Sequence, residues 1–492
     1  MLPRRTALLA CLALSALAWL APAAAARGPI PPLWHQGRWI TDAAGRVVIL
    51  HGVNMVYKRP PYAPADAGFG ADDARFLARN GFDAVRLGII YKGVEPKPRR
   101  YDNSYIRRVR ATERLLAARG IYSLVDFHQD MYNERFQGEG FPDWAVDDDG
   151  LPAQPRLGFP GNYLAQPATN RAFDNFWANE QVAGRGLQDA YAQAWGHVAA
   201  RFAADPYVLG YDIFNEPWPG SVWPSCANPA GCPLFDTGPL AAMTRKVTAA
   251  VRAADRTHIV WQEPNVIFNN GADSSLPRIG SGTGFSFHVY CLTASEVPVP
   301  VEQDCDVFDG LAFQNADKQS RQTGQALDLS EFGATSDRIT LERVMGLADR
   351  HMVSWQYWAY CECGDPTTTG AGVQGIVGRA DRPPRGANLN RAKLALLERP
   401  YPQAVAGTPE SFSYDPATGV FRLRYSARTP AGQLLPPCLK TEIFVPRIHY
   451  ADGYRVRVGG GRATSAPGAS LLEVRRDRAA RTVSVTVRPR PR

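Results

Sequence analysis

The chain has 492 residues, 45% of them apolar, and 55 Lys and Arg against 47 Asp and Glu give a formal charge of +8. That length supports a large core and more than one domain, and excludes a small stapled module. The basic residues are scattered, with no stripe of interleaved aromatics, which argues against nucleic-acid binding. Beyond the N-terminal segment no run approaches the eighteen or so apolar residues of a membrane span.

Residues 1–26 carry Arg4-Arg5, an Ala/Leu-rich run over 7–20 and a small-residue stretch before Arg27. This predicts a secretory signal peptide and a secreted protein. Two rival readings are weaker: a lipoprotein box ending at Cys11 leaves too short an apolar core, and a twin-arginine signal lacks most of its motif. Export implies an oxidising compartment, where Cys226/Cys232 and Cys291/Cys305 are spaced for short-loop disulfides. The seven cysteines after the leader leave one odd within a monomer. Cys361-x-Cys363 has no spaced His or second Cys pair nearby, so no metal site is expected there.

Eight β-like runs follow in order: 47–55, 82–90, 121–129, 207–215, 258–264, 284–290, 326–333 and 352–360. Between them lie segments such as GADDARFLARNG and SYIRRVRATERLLAARG, with apolar residues at helical spacing and a Gly just past the end. Eight β/α units in roughly 330 residues predict a (β/α)8 TIM barrel over 27–400, an α/β fold. No Gly-rich phosphate loop follows any of the strands. From about Tyr401 the pattern changes to alternating runs parted by Gly, Pro and Asp, which predicts a C-terminal antiparallel β-sandwich over 401–492.

Barrels of this type build their active sites at the C-terminal ends of the strands. The residues there are His51, Asn54, Arg86, His128, Asp130, Asn215, Glu216, Glu263, His288, Tyr290, Glu331, Trp355 and Trp358. Cleaving a glycosidic bond needs two carboxyl groups flanking it. Glu216 and Glu331 offer such a pair on the fourth and seventh strands; Arg86 is suited to keep one of them charged, and Tyr290 to donate to it. Pro217 ends the strand ladder where an apolar residue would close it more cheaply, which marks Glu216 as functional. Taken singly, Glu263 reads as a salt-bridge residue, His128 beside Asp126 fits a core histidine as well as a site, and Trp355 or Trp358 could fill the barrel floor.

DIFNEPWPG together with LSEFGAT resembles family 5 of the glycoside hydrolases, and DFHQDMYNERFQGEGFPDWA, FHVYC and WQYWAY resemble its endoglycoceramidase branch. The likeness covers about residues 35–400 and extends to a C-terminal sandwich. It implies a retaining endo-glycosidase that cuts glycosphingolipids between oligosaccharide and ceramide, with Glu216 as acid/base and Glu331 as nucleophile. It also implies Lys58, His128, Asp130, Asn215, Tyr290 and Trp358, with Trp177 the weakest match, in the sugar site, Arg86 and His288 in support, and no cofactor or metal. Phe136, Phe141, Trp144 and Phe159 in the loop 134–159, with the loop 218–235, are expected to form an apolar groove that contacts a membrane or micelle; a monomer is expected. An ordinary β-glucanase or mannanase of the same barrel is the alternative, and a catalytically silent binding protein the more distant one.

Overall fold

A computed structural model describes residues 28–290 and 302–491. The leader read over 1–26 and Cys291 of the expected Cys291/Cys305 pair lie outside the described residues. Contacts divide the chain into two compact units, one holding 32–38 and 50–396, the other holding 39–49 and the residues from 397 onward.

The larger unit is a closed parallel barrel of eight strands: β1 (His51–Met55), β2 (Ala84–Ile90), β3 (Tyr122–His128), β4 (Val208–Asp212), β5 (Ile259–Gln262), β6 (Thr283–Val289), β7 (Ala326–Gly333) and β8 (Ser354–Trp358). Each of the eight runs read from the sequence supplies one of them. Nearly every residue in these strands is buried, as expected of parallel strands covered on both faces. Helices such as Ala71–Arg79 and Asn103–Ala117 flank the barrel. The second starts where Asp102 accepts from the amides of Ser104 and Tyr105, satisfying donors that a helix start leaves open. The β5–β6 connection has only the single turn Val266–Asn270. Gly210 in β4 has φ +153°, and a Cβ there would lie 2.1 Å from the Ile259 carbonyl oxygen, so the tight β4–β5 pairing requires glycine. His51 stacks on fully buried Trp355, ring centroids 4.1 Å apart, and these two fill the barrel floor.

In the smaller unit, Thr408–Asp415, Val420–Ser426, Thr482–Pro489 and Tyr454–Gly459 form one antiparallel sheet. A second antiparallel sheet contains Tyr401–Val405, Lys440–Phe444, Leu471–Arg476 and Gly461–Ala463. It also takes Val47–Val48 from the N-terminal part of the chain, with Ala404 opposite Val48. Arg46 secures this addition by buried ion pairs to Asp42 at 2.8 Å and Glu442 at 3.0 Å. The segment 39–49, which the sequence reading left with the barrel, therefore packs with the C-terminal sheets. A two-residue strand has no period of its own to announce its sheet.

Candidate active site

Glu216 lies in the bend that follows β4, and Glu331 lies within β7 near its C-terminal end. Glu216 takes φ +45°, a left-handed backbone held by its own amide donating to Glu263 Oε2 at 2.8 Å. Its Oε1 accepts from Asn269 Nδ2 at 2.7 Å and lies 2.8 Å from His288 Nδ1. Glu331 receives Arg86 Nη1 at 2.5 Å and the Tyr290 hydroxyl at 3.0 Å. Carboxylate oxygens of the two glutamates and a ring nitrogen of His288 all lie within 4.8 Å of one another.

Arg86 is fully buried beneath this pair and anchors four carboxylates: Glu331, Glu263 at 2.8 Å, Asp212 at 2.9 Å and Asp126 at 3.1 Å. Its Nη2 also donates to Asn215 Oδ1 at 2.9 Å. Burial opposes charge on His288, but the fields of Glu263 and Glu331 outweigh it and hold the imidazolium proton well above the usual range. Burial likewise pushes the Glu331 carboxyl up, against the pull of His288 and Arg86 and with added repulsion from Glu216; the balance lies above the ordinary value. For Glu263 burial loses to His288 and Arg86, and its carboxyl falls to about 2. These groups exchange protons as one network rather than as separate residues.

A second polar cluster lines the same cleft. Lys58 Nζ donates to Asp130 at 2.6 Å and to Thr367 at 2.9 Å, and lies 4.4 Å from the centroid of the Trp358 ring. His128 stacks on the same ring at 5.2 Å and bonds Asp126 at 2.9 Å. Burial works against its charge, yet Asp126 and Asp130 raise it to about 10. Lys58, His128, Asp130, Asn215, Glu216, Tyr290, Glu331 and Trp358 all line one cleft.

The same cleft has an apolar wall as well, lined by Phe159, Tyr163, Leu164, Trp218, Val266 and Ile267. Three sequence expectations change here. Trp177 does not line the cleft; its indole donates to the Trp218 carbonyl at 2.8 Å and packs against Phe214 and Phe235, so it backs the wall that Trp218 faces. Phe136 and Phe141 are 0% and 1% exposed, and Phe141 stacks on Tyr132 at 4.0 Å, so they are core rather than groove. Trp144 is tied to the Glu95 carbonyl at 2.8 Å and also lies outside the cleft lining. Of that loop, Phe159 alone of the four named aromatics reaches the wall.

Sequence reasoning missed several neighbours. Glu263, read as a salt-bridge residue, does pair with Arg86, but its second bond, to the Glu216 backbone amide, was not foreseen; Asn269 sits in the turn after β5 with no motif around it. The loop after β8 supplies Thr367 to Lys58 and Gln374 to the Trp358 indole at 3.1 Å. That loop is pinned by a Cys361–Cys363 disulfide and by Glu362, which accepts the amides of Gly372 and Gly375. Cys226–Cys232 is bonded as spaced. Among the described residues, His128, Asp130 and Glu139 form a second group with donor atoms close enough to share a metal ion, but the Lys58 ammonium already sits against these carboxylates, as Arg86 does against Glu331.

Residues 41–364 match the family model "Cellulase (glycosyl hydrolase family 5)", and 399–487 match "Glycoside hydrolase family 5 C-terminal domain". Endoglycoceramidase I of Rhodococcus hoagii is 36% identical over 458 residues, covering 91% of this chain and 86% of that protein. Endo-glycoceramidase II from Rhodococcus sp. is similar as a lactosyl-enzyme intermediate (31% identity, TM-score 0.73) and as a ganglioside GM3 complex (29%, TM-score 0.74). Each of these two covers 92% of this chain and 99% of the other.

Proposed function

The chain belongs to glycoside hydrolase family 5, and from that premise we propose that it is a secreted, retaining endo-glycosidase that severs the oligosaccharide of a glycosphingolipid from its ceramide. The observation that carries this reading is one cleft whose lining combines charged, hydrogen-bonding side chains, apolar side chains and the carboxyl pair. A soluble glucan can stack on the aromatic members of this wall but has nothing for Leu164, Val266 and Ile267, whereas ceramide chains gain about 25 cal/mol for each Å² of apolar surface removed from water. The curated relative bears the name endoglycoceramidase, and the solved neighbour was caught with ganglioside GM3. Secretion rests on the leader read over 1–26, and contact with a membrane or micelle on where such a substrate resides.

Carboxylate oxygens within 4.8 Å suit a retaining pair, at about 5–5.5 Å between carboxyl groups, better than an inverting pair at about 6.5–9.5 Å. Glu331, gripped by Arg86 and Tyr290, attacks the anomeric carbon, while Glu216 protonates the departing ceramide oxygen. Glu216 then takes a proton from water as it hydrolyses the glycosyl-Glu331 ester. Trp358 gives the sugar a flat face, Lys58, His128 and Asp130 grip its hydroxyls, and Asn215 keeps an N–H for the 2-hydroxyl. No step requires a cofactor.

The test is hydrolysis of a fluorescent glycosphingolipid in neutral detergent micelles, beside a cello-oligosaccharide. Release of free ceramide and one intact oligosaccharide is expected. Cutting of the cello-oligosaccharide alone would favour the β-glucanase alternative, and no turnover of either would leave a binding protein.

A further inference from the structure

The net charge of this protein is concentrated in one part of it. Residues 401–492 carry 15 Lys and Arg against 6 Asp and Glu, whereas the first 400 carry 40 against 41. The four-stranded sheet of the smaller unit shows where much of that charge goes. Its inner face is apolar, with Phe412, Phe421, Leu423, Val485 and Val487 buried. Its outer face presents Arg422, Arg424, Arg455, Arg457 and Arg488, all exposed, spaced by Ser411, Ser413, Ser484 and Thr486.

The strand register sets these side chains in rows. Ser413, Arg422, Thr486 and Arg457 form one; Arg424 lies beside Ser484 in the next; Arg455 stands directly opposite Arg488 in a third. Arg424 has an ion pair with Glu410 at 2.7 Å. Among the described residues, Arg422, Arg455, Arg457 and Arg488 have no salt bridge. Like charges directly opposite on a sheet destabilise it, and alternation requires only that the outer residues be polar. Packing therefore accounts for the inner face, and the Glu410 pair for Arg424, which leaves the other four arginines unaccounted for.

We propose that this outer sheet face docks onto an anionic bilayer and holds the enzyme at the surface where its substrate lies. Neighbouring strands are about 4.8 Å apart and same-face residues along a strand about 7 Å, so the guanidinium groups make a planar array. Such an array meets many lipid phosphates or carboxylates at once but encloses no single small anion, and guanidinium forks suit both groups. The face offers no aromatics for stacking nucleic-acid bases. The choice of a bilayer rests on the proposed glycosphingolipid reading.

The test takes the full chain with vesicles of phosphatidylcholine, alone or with phosphatidylserine, read by co-sedimentation. The protein should sediment with the anionic vesicles and not the neutral ones. It should be released as salt rises from about 0.1 M to 1 M and the Debye length falls from about 10 to about 3 Å. Arg455→Ser, Arg457→Ser and Arg488→Ser together should weaken binding about 5-fold per arginine, about 100-fold in all. The combination Arg428→Ser, Arg447→Ser and Arg478→Ser removes the same charge from exposed sites off this sheet, and should weaken binding far less. Both variants should hydrolyse a soluble aryl glycoside as the parent does. Equal losses in the two variants, equal binding to neutral vesicles, or retention on heparin without vesicle binding would each overturn the proposal. Failure to cut glycosphingolipid in neutral detergent micelles overturns the functional reading instead, and the sedimentation result still decides the docking face.

Discussion

Replacing Glu263 by Gln probes the group that holds Glu216 in its left-handed backbone. The carboxylate takes Arg86 Nη2 at 2.8 Å on one oxygen and the Glu216 amide at 2.8 Å on the other. An amide has one acceptor oxygen, so however it turns, one of these donors meets an NH2. A lost charge-assisted bond costs about 1.5–3 kcal/mol and a broken buried ion pair about 3–5 kcal/mol. Arg86 keeps Asp126, Asp212 and Glu331, so the lower end, about 3 kcal/mol, is expected. The same loss at the transition state, as Glu216 drifts, is about 100-fold in kcat. The pH dependence has a definite sign. The folded carboxyl is lowered to about 2 from an unfolded value near 4.3, so its contribution is present above about pH 4.3 and fades as pH falls toward 2. Urea unfolding of parent and variant from pH 7 to pH 3, with kcat on a soluble aryl glycoside, measures both effects. A stability loss unchanged across that range, or a kcat within about 3-fold of the parent, would refute the reasoning.

His128, raised to about 10, should stabilise the fold fully below its unfolded value near 6.5 and lose that contribution as pH rises toward 10. Urea midpoints of the parent should therefore fall more steeply over pH 7–10 than those of His128→Gln. Phe141→Ala should cost about 3–5 kcal/mol of stability by opening a core cavity, measured by urea unfolding, and should not discriminate between substrates. Leu164→Ser, half-exposed on the apolar wall, should leave stability within about 0.5 kcal/mol and lower kcat/KM on glycosphingolipid more than on a soluble aryl glycoside. Exhaustive EDTA treatment should leave the rate on the aryl glycoside unchanged; a large loss restored by zinc or calcium would contradict the two-carboxylate chemistry.

The barrel was legible because each strand is a short apolar run closed by a polar residue, a signal carried within a few positions. Glu216 and Glu331 were legible for the same reason, since each is a charge that interrupts such a run at its C-terminal end. The supporting groups were not. Asn269 and Thr367 come from connections whose course depends on how the chain closes over the barrel, and no period marks them. The aromatics of 134–159 misled for a related reason: a loop rich in Phe and Trp reads alike whether it lines a groove or, as with Phe136 and Phe141, packs inward. Trp177 was one layer off because a helix can offer its indole to a wall from behind. The arginines of the C-terminal sheet looked scattered in sequence because strand alternation separates them, and only the register gathers them on one face.

An activated 2-fluoro-lactoside, followed by proteolysis and mass spectrometry, tests most directly the claim that an intact oligosaccharide passes through a covalent bond to Glu331. The account predicts a single adduct of one whole lactosyl unit on the peptide bearing Glu331, and none on the Glu331→Gln variant, which should still fold. An adduct on Glu263 or Glu216, or a label of one hexose rather than two, would contradict it.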